Sequence, residues 1–285
     1  MPFTLSHAAA VLPGVRTDGG GRGRLIPAVL VAGSFSPDMP YFAASAIPGA
    51  MEFGNVTHSF LGVVTVDAAI AWALVGLWLL IREPLVALLP RTWQPRPAAL
   101  LRCGTPRARV RPSLLLRWYA SATLGALTHV VWDAFTHHDR WGVRLFPVLH
   151  DTLAGSPLYW FMQYGGSVVG AAVIALWVGR ALRRVVPAAE PAGVAALSVR
   201  DRLLAGAVIG GCAVVVGVER AARWWAYWRA TAKPWELIAP LCFGVGAGLV
   251  VGLLLYVVGM RVWRPAAAGA RPERVSVGQG RPGGR

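Results

Sequence analysis

The side chains best suited to chemistry in this sequence are six histidines and a few acidic residues, and all six histidines lie in the first 150 positions. The histidines are His7, His58, His129, His137, His138 and His150. The strongest local pattern is the run Thr128-His129-Val130-Val131-Trp132-Asp133. On a helix, residues four positions apart share one face at a separation of about 6 Å. His129 and Asp133 could therefore ligate one metal ion or orient each other.

More than one interpretation of His129 and Asp133 stays open at this point. Asp133 could simply accept a hydrogen bond from His129, or both side chains could face lipid headgroups. Ionisable residues inside a membrane-spanning segment are costly and usually have a partner or a function. His137 would continue the same helical face if the helix runs past Phe135.

Three further residues from separate segments could join this pair. His58 follows Thr57, which we predict to be a helix N-cap, and this places the imidazole at the outer end of a span. Asp38 lies between two prolines that fix its carboxylate at the end of an apolar run, with a local turn as the alternative role. His7 precedes a run of alanines, consistent with a short capped helix.

Together these residues form a candidate set of metal ligands from separate parts of the chain. Three imidazoles and two carboxylates suit Zn²⁺, Mn²⁺ or Fe²⁺ better than Ca²⁺ or Cu⁺, and Zn²⁺ or Mn²⁺ is our first expectation. Asp38 or Asp133 could instead act as a general base in a hydrolytic reaction. The predicted ligands are His7, Asp38, His58, His129 and Asp133.

The composition indicates which kind of protein must position these residues. Apolar residues make up 55% of the 285 residues and charged residues only 14%, against roughly 25% in a soluble domain. This disfavours a soluble enzyme, a disordered protein and a coiled coil. The net charge of +15 comes largely from arginines that lie between apolar runs, where they act as topology signals and headgroup contacts rather than as a nucleic-acid surface.

The apolar runs predict an all-α, polytopic helical membrane protein with about five transmembrane helices. The shorter run 25–35 is interpreted as a re-entrant or interfacial helical segment. Residues 1–263 are expected to form one integral-membrane domain, and residues 264–285 a disordered basic cytoplasmic tail. The predicted spans are about 60–81, 113–135, 158–179, 203–218 and 237–260.

Basic residues alternate between the connections in a way that predicts the orientation. The segments 82–112, 180–202 and 261–285 hold seven, five and six arginines, whereas the alternate connections hold fewer basic residues. The positive-inside rule makes the arginine-rich side cytoplasmic. We therefore expect a multi-pass inner (plasma) membrane protein with its N-terminal region outside and its C-terminus in the cytoplasm.

Two other patterns predict helix contacts. Asp67 lies deep in the first span and is interpreted first as a hydrogen-bonded or protonated acid against a neighbouring helix, and second as a support for the metal site or a proton relay. Glycines four residues apart predict close helix packing. They are Gly206 with Gly210, and Gly244 with Gly248 and Gly252.

Several of these segments resemble an uncharacterised bacterial membrane family, domain of unknown function 4184. The resemblance is carried by the N-terminal Met-Pro-Phe-Thr-Leu-Ser-His, by Gly33-Ser34-Phe35-Ser36-Pro37-Asp38-Met39-Pro40, by Thr57-His58-Ser59 and by the run from Leu127 to His137. It extends from Met1 to about Gly179. The family implies no established activity.

A more distant similarity in motif order is to predicted inner-membrane metal-dependent hydrolases, and through them to zinc-dependent phospholipase C. This similarity implies the same five ligands. Phospholipase C uses further His and Glu ligands, and no histidine follows His150 here, so one or two ions are expected rather than three.

Two hypotheses for the function follow. The first is a membrane-embedded metal-dependent hydrolase that acts on a lipid or lipid-linked phosphoester at the outer membrane face, with Arg140 or Arg144 holding an anionic headgroup. The second is a non-catalytic metal- or lipid-binding scaffold or a component of a transporter. Membrane lipids are the expected partners, nucleic acid is not, and the sequence leaves the oligomeric state open.

Overall fold

The computed structural model describes residues 3–105, 111–188, 193–231 and 233–263. The predicted basic tail 264–285 lies outside the described residues. Within them the chain is mainly helical, with one short antiparallel hairpin of β1, Thr152–Leu153, and β2, Ser156–Pro157. The α-helices are α1 Ala8–Val11, α2 Pro27–Phe35, α3 Met39–Ala43, α4 Gly54–Thr57, α5 Phe60–Val64, α6 Val66–Ala87, α7 Pro95–Leu100, α8 Pro112–Ala134, α9 Trp141–Leu145, α10 Leu158–Arg184, α11 Val199–Trp228 and α12 Ile238–Trp263. Short 3-10 helices at Thr4–His7, Leu12–Gly14, Ser36–Asp38, Ala50–Phe53, Arg91–Trp93, Pro147–His150 and Pro234–Leu237 connect or extend them.

Four helical segments of the described chain are long and apolar enough to cross a membrane. They are α6, α10, α11 and the segment Pro234–Val262 that contains α12. The expected all-α, polytopic membrane fold is therefore confirmed. The helix α8 has 23 residues, enough for a span, but it is not among these four. Its ionisable residues, which include Arg117, His129 and Asp133, make it less apolar than the others.

The long helix that corresponds to the first predicted span, about 60–81, starts and ends later in the chain than that span. The chain breaks at Thr65, whose backbone dihedrals of φ −122° and ψ −86° are not helical, and this separates the short α5 from α6. The Thr65 hydroxyl donates to the Leu61 carbonyl at 2.6 Å. The helix α6 then continues to Ala87, past Arg82 and Pro84.

The fourth predicted span, 203–218, is much longer in the structure. The helix α11 has 30 residues and begins at a capping box, in which Ser198 and Asp201 each accept a hydrogen bond from the other's backbone N–H. At the other end, Glu219 and Arg223 form an ion pair of 2.6 Å at i,i+4 spacing. This pair favours continued helix, so the first charges after the apolar run do not end it.

The segment 25–35 forms the short helix α2, which packs against α8 and α6. Its contact with α8 brings the two backbones together at two glycines. A Cβ atom added at Gly125 would lie 2.2 Å from the Leu30 carbonyl oxygen, and one added at Gly33 would lie 2.3 Å from the Ala122 carbonyl oxygen. Only glycine fits at either position. This crossing fixes the end of α2 beside His129 of α8.

The helices α11 and α12 pack along one face of α12 that carries glycines. A Cβ added at Gly248 would lie 2.3 Å from the Cys212 carbonyl oxygen, and one added at Gly252 would lie 2.6 Å from Cα of Ile209. The close packing predicted for the α12 glycines is therefore present. The prediction is wrong for Gly206 and Gly210, where an added Cβ would meet no atom within 4 Å among the described residues.

Candidate metal centre

The ends of short elements and one face of α8 bring four of the five predicted ligands to one point. Asp38 ends the 3-10 helix that follows α2, His58 follows α4, and α8 carries the other two. Their ligand atoms all lie within 4.8 Å of one another, and all four residues are buried. The four residues are Asp38, His58, His129 and Asp133. They could hold a metal ion.

Four of the six distances between ligand atoms in this group are close to those around a tetrahedral ion. Oδ1 of Asp38 lies 3.6 Å from Nε2 of His58 and 3.5 Å from Nε2 of His129. Oδ2 of Asp133 lies 3.6 Å and 3.4 Å from the same two nitrogens. In a tetrahedral Zn²⁺ site with metal–ligand distances of about 2.1 Å, neighbouring ligand atoms stand about 3.4 Å apart. The group therefore offers two nitrogens and two oxygens at suitable spacing.

The same distances argue against the simpler interpretation of a direct imidazole–carboxylate hydrogen bond. Charge-assisted N–H···O bonds are about 2.7–2.9 Å long. The Nε2–Oδ2 distance of 3.4 Å between His129 and Asp133 is clearly longer. In addition, Nε2 of His129 is fully buried and has no hydrogen-bond partner among the described residues. A cation between the four side chains would satisfy this nitrogen.

Backbone carbonyls orient both imidazoles toward the centre. Nδ1 of His129 lies 2.8 Å from the Ser34 carbonyl oxygen, and Nδ1 of His58 lies 2.9 Å from the Gly54 carbonyl oxygen. A carbonyl oxygen only accepts, so each Nδ1 carries a proton, and in the neutral ring each Nε2 presents its lone pair. Histidine ligands of metal ions in proteins are commonly held in this way.

Two threonine hydroxyls hold the Asp38 side of the site. The Thr4 hydroxyl donates to Oδ2 of Asp38, which leaves Oδ1 for the two imidazoles. The Thr57 hydroxyl donates to the Pro37 carbonyl oxygen at 2.7 Å and thereby ties α4 to the segment that bears Asp38. The prediction that Thr57 is a helix N-cap is wrong. The N-cap of α5 is Ser59, whose hydroxyl accepts from the Gly62 backbone N–H at 3.0 Å.

His7 lies beside the four-residue group but is not a member of it. Its ring stacks on the His129 ring, with centroids 3.5 Å apart and an angle of 11° between the planes. Its Nε2 lies 3.5 Å from Oδ1 of Asp133. Burial and the adjacent His129 ring lower the pKa of His7 well below its ordinary value, so the ring is neutral. Neither ring nitrogen has a hydrogen-bond partner among the described residues.

Asp38 lies outside the predicted spans, and the groups around its carboxyl favour the ionised form. Burial raises the pKa of this carboxyl, but the facing imidazoles of His129 and His58 outweigh it and hold the pKa well below the ordinary value. For His58, burial lowers the pKa, and the two carboxylates that face it raise it above the ordinary value. A divalent ion that bound here would take the place of the proton on Nε2 of His58 and face the same two carboxylates.

His137 lies next to the site. The sequence pattern places it there only if the helix that carries His129 and Asp133 runs past Phe135. The helix α8 ends at Ala134, yet the following turn keeps Nδ1 of His137 3.7 Å from Oδ2 of Asp133. Nε2 of His137 lies 3.0 Å from Nε2 of Gln163 on α10. The His137 side chain is 33% exposed, whereas the Asp133 side chain is 5% exposed. It therefore lies on the open side of the site.

The other ionisable residues noted in the sequence do not join the group. His138 and Asp139 are exposed on the loop after α8. Asp67 is buried near the start of α6, and its two oxygens have no hydrogen-bond partner among the described residues. Among the described residues, the interpretation of Asp67 as a hydrogen-bonded acid is therefore wrong, and its alternative as a protonated acid stays a prediction.

The comparisons with known proteins give a family and no function. No curated protein and no solved structure matches the chain. A model of one protein family matches residues 1–258, a range that includes every residue of the candidate centre. The match agrees with the motifs that carry the resemblance in the sequence. The chain belongs to the family described as Domain of unknown function (DUF4184).

Proposed function

We propose that this protein is a membrane-embedded, metal-dependent hydrolase that acts on a lipid or lipid-linked phosphoester at the outer face of the membrane. The observation that carries the proposal is the buried group of two imidazoles and two carboxylates, spaced for one divalent ion. The helices long and apolar enough to cross a membrane support a substrate that is itself a lipid. Zn²⁺ or Mn²⁺ is the proposed ion.

The chemistry follows from the donors and their surroundings. A divalent ion here would lower the pKa of a bound water to about 7 and polarise a phosphoryl oxygen. The proposed general base is Asp133, whose Oδ1 faces Nε2 of His7 and accepts from the Thr136 hydroxyl, while its Oδ2 faces the two imidazoles. His137, which is half-buried on the open side, marks the path by which water and a phosphate group reach the centre.

Arg140 is our proposed contact for an anionic headgroup. Burial and the nearby Asp38 carboxylate raise the pKa of Tyr41 to about 12, and the positive charge of Arg140 acts in the opposite direction. The Tyr41 ring lies 5.5 Å from the His58 ring between centroids. We propose Arg140 because its charge acts on Tyr41, which lies beside His58, and because a guanidinium suits bidentate binding of phosphate.

The test is the metal content of the detergent-purified protein, measured by plasma mass spectrometry, beside the variants His129→Ala and Asp133→Ala. The matched controls are His138→Ala and Asp139→Ala, since both residues are exposed on the neighbouring loop. We expect near-stoichiometric metal in the parent and the controls and loss of metal in the two site variants. Hydrolysis of phosphatidic acid and of lipid-linked diphosphates is then assayed on the same five proteins.

Two results would end the proposal. One is equal and negligible metal in all five proteins after incubation with Zn²⁺ or Mn²⁺. The other is hydrolysis at the parent rate by both site variants, because a reaction that survives loss of His129 and Asp133 does not use this centre.

A second candidate function is a non-catalytic metal- or lipid-binding scaffold, or a component of a transporter. The observation that favours it is the number of ligands, because four protein donors fill a tetrahedral ion, whereas catalytic zinc sites usually keep a position for water. Tight stoichiometric metal without turnover of any lipid phosphoester would support this candidate. Turnover that is lost with the metal would exclude it.

A further inference from the structure

The connection between α3 and α6 is almost uncharged, although it lies outside the four segments that are long enough to cross a membrane. Glu52 is the only Asp, Glu, Lys or Arg among residues 44–65, whereas about a quarter of the residues in a soluble domain are of these types. The connection also exposes large apolar side chains, with Leu61 at 72% and Phe60 at 57%. The others are Ile47, Met51, Phe53, Val56 and Val64.

The loop after α8 continues this apolar surface. The helix α9 is fixed against the end of α8, because a Cβ added at Gly142 would lie 2.5 Å from the Ala134 carbonyl oxygen. Trp141 and Leu145 of α9 are exposed, Leu145 at 64%. The centroid of the Phe60 ring on α5 lies 6.2 Å from that of the Trp141 ring. The exposed apolar side chains of the connection and of α9 therefore form one surface.

The helices that can cross a membrane place this surface at the level of the membrane boundary. The helix α6 begins at Val66, directly after the connection 44–65, and α10 begins at Leu158, shortly after α9. Near the end of α11, Nη2 of Arg223 donates to the Ser45 carbonyl oxygen at 2.8 Å. Three of the four membrane-crossing segments thus have an end in contact with, or next in the chain to, the elements that bear the surface.

The residue types around the surface are those of a membrane interface. Trp and Tyr are enriched at the level of the headgroups, and arginines there lay their apolar stems along hydrocarbon while the guanidinium stays in water. Tyr227 and Trp228 are exposed at the end of α11, and Arg144 is exposed on α9 between Trp141 and Leu145. A bilayer accommodates an apolar surface with such a border, and it already surrounds α6, which the surface adjoins.

We propose that this apolar surface lies in the acyl region of the bilayer leaflet nearest the candidate metal centre. Interfacial segments of this kind bury their apolar face about 5–10 Å into the boundary between headgroups and acyl chains. Lipid, and neither water nor a second copy of the protein, is thus the partner of the connection 44–65 and of α9. The proposal concerns the surface alone and holds whether or not the centre hydrolyses lipids.

The experiment measures the accessibility of nitroxide spin labels on the full-length protein in vesicles of phosphatidylcholine and phosphatidylglycerol. The three native cysteines are replaced by serine, and the single cysteines Leu61→Cys and Leu145→Cys are introduced on the surface. The matched control is Asp139→Cys, because Asp139 is 59% exposed on the loop that leads into α9. The reference for lipid exposure is Val215→Cys, in the middle of α11. Met51→Cys replaces either surface variant if that protein fails to fold.

The outcome is read from two relaxing agents. Molecular oxygen concentrates in hydrocarbon, whereas a water-soluble nickel chelate is excluded from it. We expect oxygen to relax the labels at positions 61 and 145 severalfold more than the chelate does, as at position 215, and we expect the reverse order at position 139.

Two patterns would overturn the proposal. The first is relaxation of the surface labels chiefly by the nickel chelate, as at position 139, because it would show that water covers the surface. The second is protection of these labels from both agents together with spin–spin broadening in singly labelled protein, because it would show that a second copy covers the surface. Neither pattern depends on metal content or on hydrolysis, so the proposed function stands or falls separately.

Discussion

At the scale of single residues, the candidate centre depends on groups that orient the donors as much as on the donors. Each imidazole is held by a backbone carbonyl, and Asp38 is held by the Thr4 hydroxyl. A hydroxyl that donates to one carboxylate oxygen fixes the direction of the other. Removal of such a supporting group commonly weakens metal binding by about 10–100-fold.

Replacement of Thr4 by valine tests this support. Valine keeps the shape of the side chain but removes the donor, so Thr4→Val should bind Zn²⁺ or Mn²⁺ about 10–100-fold more weakly than the parent. Thr4→Ser keeps the hydroxyl and should bind as the parent does. Affinity is measured by competition with a chelator of known strength. Equal affinity in Thr4→Val and the parent would show that this hydrogen bond does not position Asp38.

The sequence predicts the donors better than their supports. The spacing of His129 and Asp133 predicts a shared helical face, and they do share it within one group of possible ligands. The orienting role of the Ser34 and Gly54 carbonyls cannot be predicted from the residue types, because every residue has a backbone carbonyl. His137 depends on how the chain turns after Ala134, which periodicity alone does not determine.

At the scale of elements, the crossing of α2 and α8 determines where the donors stand. The two helices touch backbone to backbone at Gly33 and Gly125, and the end of α2 carries the Ser34 carbonyl that orients His129. Any residue larger than glycine at the crossing must push the helices apart. That movement would take the carbonyl away from the ring.

Replacement of Gly125 by alanine should therefore affect both stability and metal binding. The added methyl group would lie 2.2 Å from the Leu30 carbonyl oxygen, and overpacking of this kind costs about 1–3 kcal/mol. We expect a lower unfolding temperature and a lower metal content in Gly125→Ala. The control is Gly76→Ala on α6, where an added Cβ meets no described atom within 4 Å. An unchanged unfolding temperature in Gly125→Ala would refute the close crossing.

The helices themselves are largely predictable from apolar runs, and their ends are less so. Hydropathy places the centre of α11 correctly, but the helix continues well past its apolar run, where Glu219 and Arg223 form an ion pair that favours helix. In the same way, the break at Thr65 has no proline or glycine at or directly beside it, the nearest being Gly62 within α5. Local hydrogen bonds and ion pairs decide these ends, and hydropathy does not measure them.

At the scale of the whole molecule, arginines on alternate connections give the proposed orientation. This orientation can be tested by labelling single cysteines introduced at two exposed positions. They are Asp151 on the loop before α10 and Arg200 at the start of α11. The three native cysteines are first replaced by serine. In intact cells, a membrane-impermeant maleimide should label Asp151→Cys, and it should label Arg200→Cys only after lysis. The reverse pattern would contradict the positive-inside assignment.

The metal should also stabilise the whole fold, because the candidate centre joins α8 to the segments that precede α5. An ion that binds only the folded protein contributes about 2.7 kcal/mol at a free concentration about 100-fold above its Kd. A chelator should therefore lower the unfolding temperature of the parent by several degrees. It should have no effect on His129→Ala, which lacks an imidazole ligand. No response from a parent with stoichiometric metal would show that the ion does not hold these segments together.

The distance along the chain between the donors has a consequence for biosynthesis. Ser34 and His129 are in contact although 95 positions separate them, and Asp133 comes later still. No complete set of donors exists until α8 has left the ribosome and packed against α2. In the proposed orientation the centre then opens away from the cytoplasm. In that orientation, the ion that the centre binds would be decided by the metals supplied outside the cell membrane, after insertion, and not by the metal pools of the cytosol where the chain is made.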